Sequence, residues 1–276
     1  MEQVLKTMLE NVRAKSPLVH NITNYVTVND VANVLLAAGG SPIMSDDADD
    51  VEDITSICGG LNINIGTLNK NTIPSMFLAG KKANALGHIV LLDPVGAGAS
   101  RLRTDTANRL MREVRFDAVR GNISEIKTLC TGSGSTKGVD ADAVDAVTEA
   151  NLDDGVALVK AFAAQTGCII AVTGAIDLVS DGARCWCIRN GRAEMSRITG
   201  TGCQLSALMT AFLVANPDHK LDAAAAAVCM MGLAGEIGWA NMQPGDGNST
   251  YRNRIIDAIF NMTGDALEEG AKYELR

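Results

Sequence analysis

The chain has 276 residues, 47% of them hydrophobic and 20% charged, a balance that supports a folded core and excludes a disordered segment. Its formal net charge of −8 argues against general affinity for nucleic acid or an anionic membrane, so any phosphate site must be built locally. Seven cysteines without a Cys-x-x-Cys pair, three scattered histidines and 4% aromatic residues point away from a disulfide frame, a zinc site or a base-stacking platform.

No apolar run is long enough for a bilayer, and residues 1–20 lack the basic start and apolar core of a signal peptide, so a cytoplasmic location is expected. One α/β domain over residues 1–276 is the expected organisation. Val4, Leu5, Met8, Leu9 and Val12 give residues 2–14 the spacing of a surface helix, which Pro17 ends. Residues 18–23 then read as a strand, and residues 28–38 as a helix closed by Gly39-Gly40. Between them His20, Asn21, Thr23 and Asn24 form a polar cluster where a strand would deliver side chains to a site, although turn chemistry explains the same residues. Met44 ends a short apolar piece before the acidic run 46–53, which reads as a solvated helix start. It could line an apolar pocket or fill core.

Residues 61–65 alternate with period two and lead into a helix over 72–85. Residues 88–92 are almost continuously apolar, as in a parallel strand covered on both faces. Asp93 stands at the carboxyl end of that strand, where open α/β sheets bind ligands, followed by the Pro-Val-Gly-Ala-Gly-Ala loop 94–99. Its carboxylate could hold magnesium or cap the next helix. Another strand over 116–120 precedes Gly-Asn-Ile-Ser-Glu (121–125), which opens a helix. Asn122 and Glu125 have the spacing of a capping box; read functionally, Glu125 is a second carboxylate at the same edge, one step from Arg120. The Gly/Ser/Thr-rich stretch 131–138 is a candidate mobile loop, and a helix follows over 150–164.

Residues 168–172 form an apolar strand ending at Thr173-Gly174. Two further segments flank Asp181-Gly182, and Asn190-Gly191 signals a hairpin into residues 192–195, so the sheet is expected to turn antiparallel at one edge. Next comes Thr-Gly-Thr-Gly-Cys (199–203), with Leu205, Leu208, Met209, Phe212 and Leu213 at the spacing of a helix with one buried face. Gly200, Thr201 and Gly202 thus form an anion hole at a helix N-terminus. There the dipole can lower a thiol's pKa and make Cys203 a base or a nucleophile; a buried structural cysteine is the plainer reading. An Ala-rich helix over 222–238, a loop at 243–247 and a helix starting near Tyr251 complete the chain.

Two carboxylates for a divalent cation, an arginine, a strand-end threonine and an anion hole beside a proton acceptor are the parts that phosphoryl transfer to an alcohol requires. No Gly-x-x-x-x-Gly-Lys-Ser/Thr loop is present, so ATP would be held without a P-loop.

Six motifs, at 17–24, 32–44, 64–68, 93–99, 120–126 and 199–203, cover most of the chain in order. Through them the sequence resembles the ribokinase-like superfamily and, within it, the hydroxyethylthiazole kinase family. The resemblance implies a mostly parallel central sheet with helices on both faces and an antiparallel edge. It also implies magnesium- and ATP-dependent phosphorylation of 4-methyl-5-(2-hydroxyethyl)thiazole in thiamine biosynthesis and salvage. Carried over by position, Arg120 and Thr173 would contact ATP, Met44 and Gly200 the thiazole, and Asp93 and Glu125 the magnesium and phosphates. Cys203 would be the catalytic base, where most superfamily members place Asp. A homotrimer is implied, with the Asn24 region near a subunit boundary beside the thiazole. Relatives often carry a Pro-Gly-Ser-Phe-like stretch where this chain reads Pro-Gly-Asp-Gly-Asn-Ser-Thr-Tyr (244–251). Rival readings are a kinase of a pyrimidine alcohol, a hydratase-repair enzyme of the same fold, a non-catalytic thiazole or nucleotide sensor, and acyl transfer through Cys203. The last lacks a partner base, since His20, His88 and His219 have no catalytic spacing.

Overall fold

A computed structural model describes residues 3–131 and 146–276. Nine strands form one sheet among the described residues: β1 (Leu18–Ile22), β2 (Ser41–Met44), β3 (Gly60–Asn64), β4 (Ile89–Asp93), β5 (Ala118–Asn122), β6 (Ile169–Thr173), β7 (Asp177–Ser180), β8 (Cys185–Ile188) and β9 (Tyr273–Leu275). Their order is β2-β1-β3-β4-β5-β6-β7-β8-β9, parallel from β2 to β6 and antiparallel from β6 to β9. The helices are α1 (Val4–Lys15), α2 (Val28–Ala38), α3 (Val51–Ile57), α4 (Thr72–Leu86), α5 (Arg101–Glu113), α6 (Ile123–Thr131), α7 (Leu152–Thr166), α8 (Thr201–Ala215), α9 (Lys220–Ala240), α10 (Asn248–Asn261) and α11 (Gly264–Gly270).

Both sheet faces are covered, and alternate strand residues enter different cores because successive side chains point to opposite faces. On β4, Leu91 packs with α1, α8 and α9, whereas Val90 and Leu92 join the core that includes α4 and α7 residues. This two-sided burial explains the apolar runs in the parallel strands.

The expected elements form, with corrections. Asn190-Gly191 does not turn into a strand; residues 193–197 make a 3-10 turn, and the place beside β8 belongs to β9. Asn190 instead ties distant pieces together, donating to Gly270 O at 3.0 Å and accepting from Lys272 N at 2.8 Å. α8 is not amphipathic: 12 of its 15 residues are buried, since it lies against the sheet beneath α2 and α9. α9 corrects the expectation that no segment has bilayer length. By length and composition it could cross a membrane, but most of it is buried inside the fold, as the core helix of a globular chain would be. Gly121 and Asn122 belong to β5 rather than to the following helix. Apart from Thr131, which ends α6, the candidate mobile stretch 131–138 lies outside the described residues.

Candidate active site

The carboxyl ends of β1, β3, β4, β5 and β6 converge on the N-terminus of α8. Asp93 at the end of β4 is fully buried, and its Oδ2 accepts from Asn64 Nδ2 at 2.8 Å, Ser206 Oγ at 2.8 Å and Arg120 at 3.5 Å. Its Oδ1 has no hydrogen-bond partner among the described residues. Burial pushes the carboxyl above its ordinary range, opposed by Arg120 and the two neutral donors. Asp93 is not a helix cap, because Ser100 accepts from Arg103 N to start α5. The capping alternative therefore falls for this residue.

It holds for Glu125. Asn122 N donates to Glu125 Oε2 at 2.8 Å and Glu125 N donates to Asn122 Oδ1 at 2.9 Å, the reciprocal pair of a capping box. The other oxygen, Oε1, accepts from Gly96 N at 2.7 Å and so fastens the 94–99 loop. Burial, then the neighbouring Asp93, pushes the Glu125 carboxyl up to about 7. Cap and buried charge site coincide in one residue.

Arg120 donates to Thr173 Oγ1 at 2.5 Å and lies over the first turn of α8: a Cβ at Gly202 would stand 2.5 Å from its guanidinium. Gly200 is the N-cap with φ +86°, a left-handed conformation, and a side chain there would strike Thr27. The helix's first turn leaves its leading amides without intrahelical acceptors, beside the guanidinium, which makes an anion site. Cys203 follows immediately, 8% exposed, with Asn24 Nδ2 3.1 Å from Sγ. Burial, then Asp93, raises the thiol above its ordinary value, while Arg120 and the amides of Asn64 and Asn24 pull it back. The expected lowering by the helix terminus is thus overturned: desolvation of the sulfur outweighs the dipole.

Two cavities meet here. One of about 690 Å³ is lined by Asn24, Thr27, Glu125 and the 199–203 turn with Cys203. The other, about 860 Å³, is lined by Asp177, Arg192, Leu205, Val228 and Met231 among others. Arg120, Thr173, Thr201 and Gly202 belong to both walls. Asp93 is behind the wall, and Met44, half-buried at the end of β2, lies outside both cavities while packing against the cluster that contains Cys203. His20 is structural: its ring bonds Thr55 Oγ1 at 3.0 Å and Ser45 O at 2.9 Å, and burial lowers its pKa.

Sequence reading missed Asn64, Ser206 and Thr27. Asn64 carried a usable signal, a polar residue at the inward end of a strand beside Asp93's strand. Ser206 lay hidden one helical turn after Cys203.

A parallel sheet with an antiparallel edge and an anion site at its switch of connectivity defines a ribokinase-like fold, the class of small-molecule kinases. The chain matches the hydroxyethylthiazole kinase family over residues 9–265 and belongs to that family. It is 58% identical to the hydroxyethylthiazole kinase of Clostridium acetobutylicum, over 98% of this chain and 99% of that protein. It is 48% identical to that of Ruminiclostridium cellulolyticum, over 96% and 95%. The solved hydroxyethylthiazole kinase of Pyrococcus horikoshii OT3 superimposes with a TM-score of 0.87 at 32% identity, over 99% of this chain and 98% of that one. An ADP complex of Bacillus subtilis pyridoxal kinase shares the fold, with a TM-score of 0.58 at 15% identity over 80% of this chain and 91% of that one.

Proposed function

We propose that the protein transfers the terminal phosphoryl group of ATP to the primary hydroxyl of 4-methyl-5-(2-hydroxyethyl)thiazole, a step of thiamine biosynthesis and salvage. The observation that carries this reading is the meeting of two cavities at Arg120, Thr173 and the first turn of α8, with Cys203 on the smaller side. The larger cavity suits a nucleotide and the smaller an alcohol. Arg120 and Thr173 bind the phosphates, Gly200, Thr201 and Gly202 offer amides to the transferred group, and Cys203 takes the hydroxyl proton. A raised thiol pKa makes the thiolate scarce but strongly basic, which suits a proton acceptor more than a covalent nucleophile.

Asp93 and Glu125 would hold magnesium, which supplies charge neutralisation to the phosphates. The fit is partial in a way that suits this ion: Asp93 keeps one unpartnered oxygen, and both Glu125 oxygens already accept backbone amides. Among the described residues no cluster of three metal-ligating side chains exists, so phosphate and water would have to supply the rest of the ion's shell. Asn24 and Gly200, both on the wall of the smaller cavity, contact the thiazole, whereas Met44 lies outside that wall and supports it through the cluster it shares with Cys203. We further propose a cytoplasmic homotrimer of single-domain chains; Tyr25 and Val26, 76% and 58% exposed beside the smaller cavity, favour a subunit boundary there.

The test is transfer of labelled phosphate from magnesium-ATP to a panel of thiazole, pyrimidine and sugar alcohols, with wild type and Cys203→Asp. Turnover is expected on the thiazole alcohol and retained in the Asp variant, because a carboxylate there also accepts a proton. Saturable thiazole binding without turnover would establish a sensor, and preference for a pyrimidine alcohol a different kinase. A folded but inactive Cys203→Asp would remove the base role.

A further inference from the structure

Two amides act on the Cys203 thiol, those of Asn64 and Asn24, and Asn24 Nδ2 stands 3.1 Å from Sγ in hydrogen-bond geometry. An asparagine amide has a donor end and an acceptor end of nearly the same shape, so packing alone does not decide which one faces the sulfur. A chain of buried hydrogen bonds decides it. Asp93 Oδ2 accepts from Ser206 and Asn64, and it remains an acceptor whether or not the other oxygen carries a proton. Asn64, 1% exposed, must therefore turn its NH2 to Asp93 and its Oδ1 away. That oxygen accepts from Gly66 N at 2.9 Å and from Asn24 Nδ2 at 3.2 Å. Asn24 completes the set by accepting from Thr27 Oγ1 at 3.0 Å, which leaves its second N–H for Cys203.

We propose that Asn64 is a positioning residue for Cys203: by giving a donor to Asp93 and an acceptor to Asn24, it makes Asn24 present N–H rather than C=O to the sulfur. A donor at sulfur favours the thiolate; a carbonyl there would favour S–H. Asn64 lines neither cavity, and beside its own pull on the thiol it reaches the sulfur through the orientation it imposes on Asn24. The role rests on Cys203 as proton acceptor, but its measurement needs no turnover.

The experiment follows alkylation of Cys203 by iodoacetamide at one fixed pH near neutrality, mapped by peptide mass. Asn64→Ala and Asn24→Ala should each slow alkylation about tenfold, and the double variant should lose clearly less than the product of the two, because both break the Asn64–Asn24 link. In turnover, Asn64→Ala should lower kcat about tenfold while the KM for ATP changes less than about twofold. Should Asn64→Ala fail to bind ATP, Asn64→Ser replaces it in the cycle. Losses that multiply in the double variant would overturn the proposal. Alkylation as expected with no phosphoryl transfer to any alcohol would instead overturn the kinase reading and leave the positioning role intact.

Discussion

At the scale of the residue, the buried carboxylates set how the free protein responds to pH. Asp177 lines the larger cavity and accepts from Gly174 N at 2.8 Å; burial pushes its carboxyl from 3.8 up to about 7. The folded chain thus keeps a proton that the unfolded chain releases. This group's contribution is fully present below about pH 4 and is lost as pH rises through 7. Asp177→Asn keeps the acceptor for Gly174 and cannot ionise. It is expected to exceed wild type in stability by about 1–3 kcal/mol at pH 8 and to match it near pH 4, as read from urea melts. A gain of the same size at both pH values would show that the residue acts through packing. Candidate site positions were legible where strand ends or helix starts are marked in sequence: Asp93 and Thr173 end their strands and Cys203 stands in the first turn of α8, whereas Arg120, expected at a strand end, lies inside β5. The direction of the Cys203 shift was not, because the desolvation of a sulfur depends on what stacks above it, and a helix start reveals only the dipole.

At the scale of the element, the first turn of α8 works because two glycines admit two intruders: Thr27 against Gly200 and the Arg120 guanidinium against Gly202. Gly202→Ala should therefore displace Arg120 while the helix persists, since Ala is the better helix former. The expected result is a KM for ATP raised about tenfold or more with the melting temperature little changed; unchanged nucleotide kinetics would separate Arg120 from the phosphates. Most helices and strands could be read from periodicity. Three could not. α5 is rich in Arg and buries only Thr106, Ala107 and Leu110, so its apolar stripe is too thin to register. α11 and β9 are short, and their place depends on partners far away in sequence, α1 and β8. Asn190-Gly191 misled for the same reason: a local turn signal is silent about which strand fills the neighbouring slot.

At the scale of the whole molecule, the sheet runs from an edge made by β2 to an edge made by β9. Trp186 on β8 packs against Tyr273 with ring centroids 4.3 Å apart, and Arg276 N and O exchange hydrogen bonds with Cys185. Removing residues 271–276 strips β8 of that partner and bares its edge. A fall in melting temperature of about 5 °C or more is expected, with increased light scattering on heating; an unchanged melt would make β9 an ornament of the edge.

α1 carries one further consequence. It packs against α8, α9 and α11, and Lys6 N donates to Glu268 Oε2 at 3.0 Å. During synthesis this helix emerges long before the helices that form its docking surface. The apolar stripe of Leu5, Met8, Leu9 and Val12 must stay uncovered while some 250 residues are made, a delay of roughly 12–50 s at ordinary elongation rates. For that interval the nascent chain offers chaperones a ready handle, and the candidate site at the start of α8 is covered only once α9 has emerged.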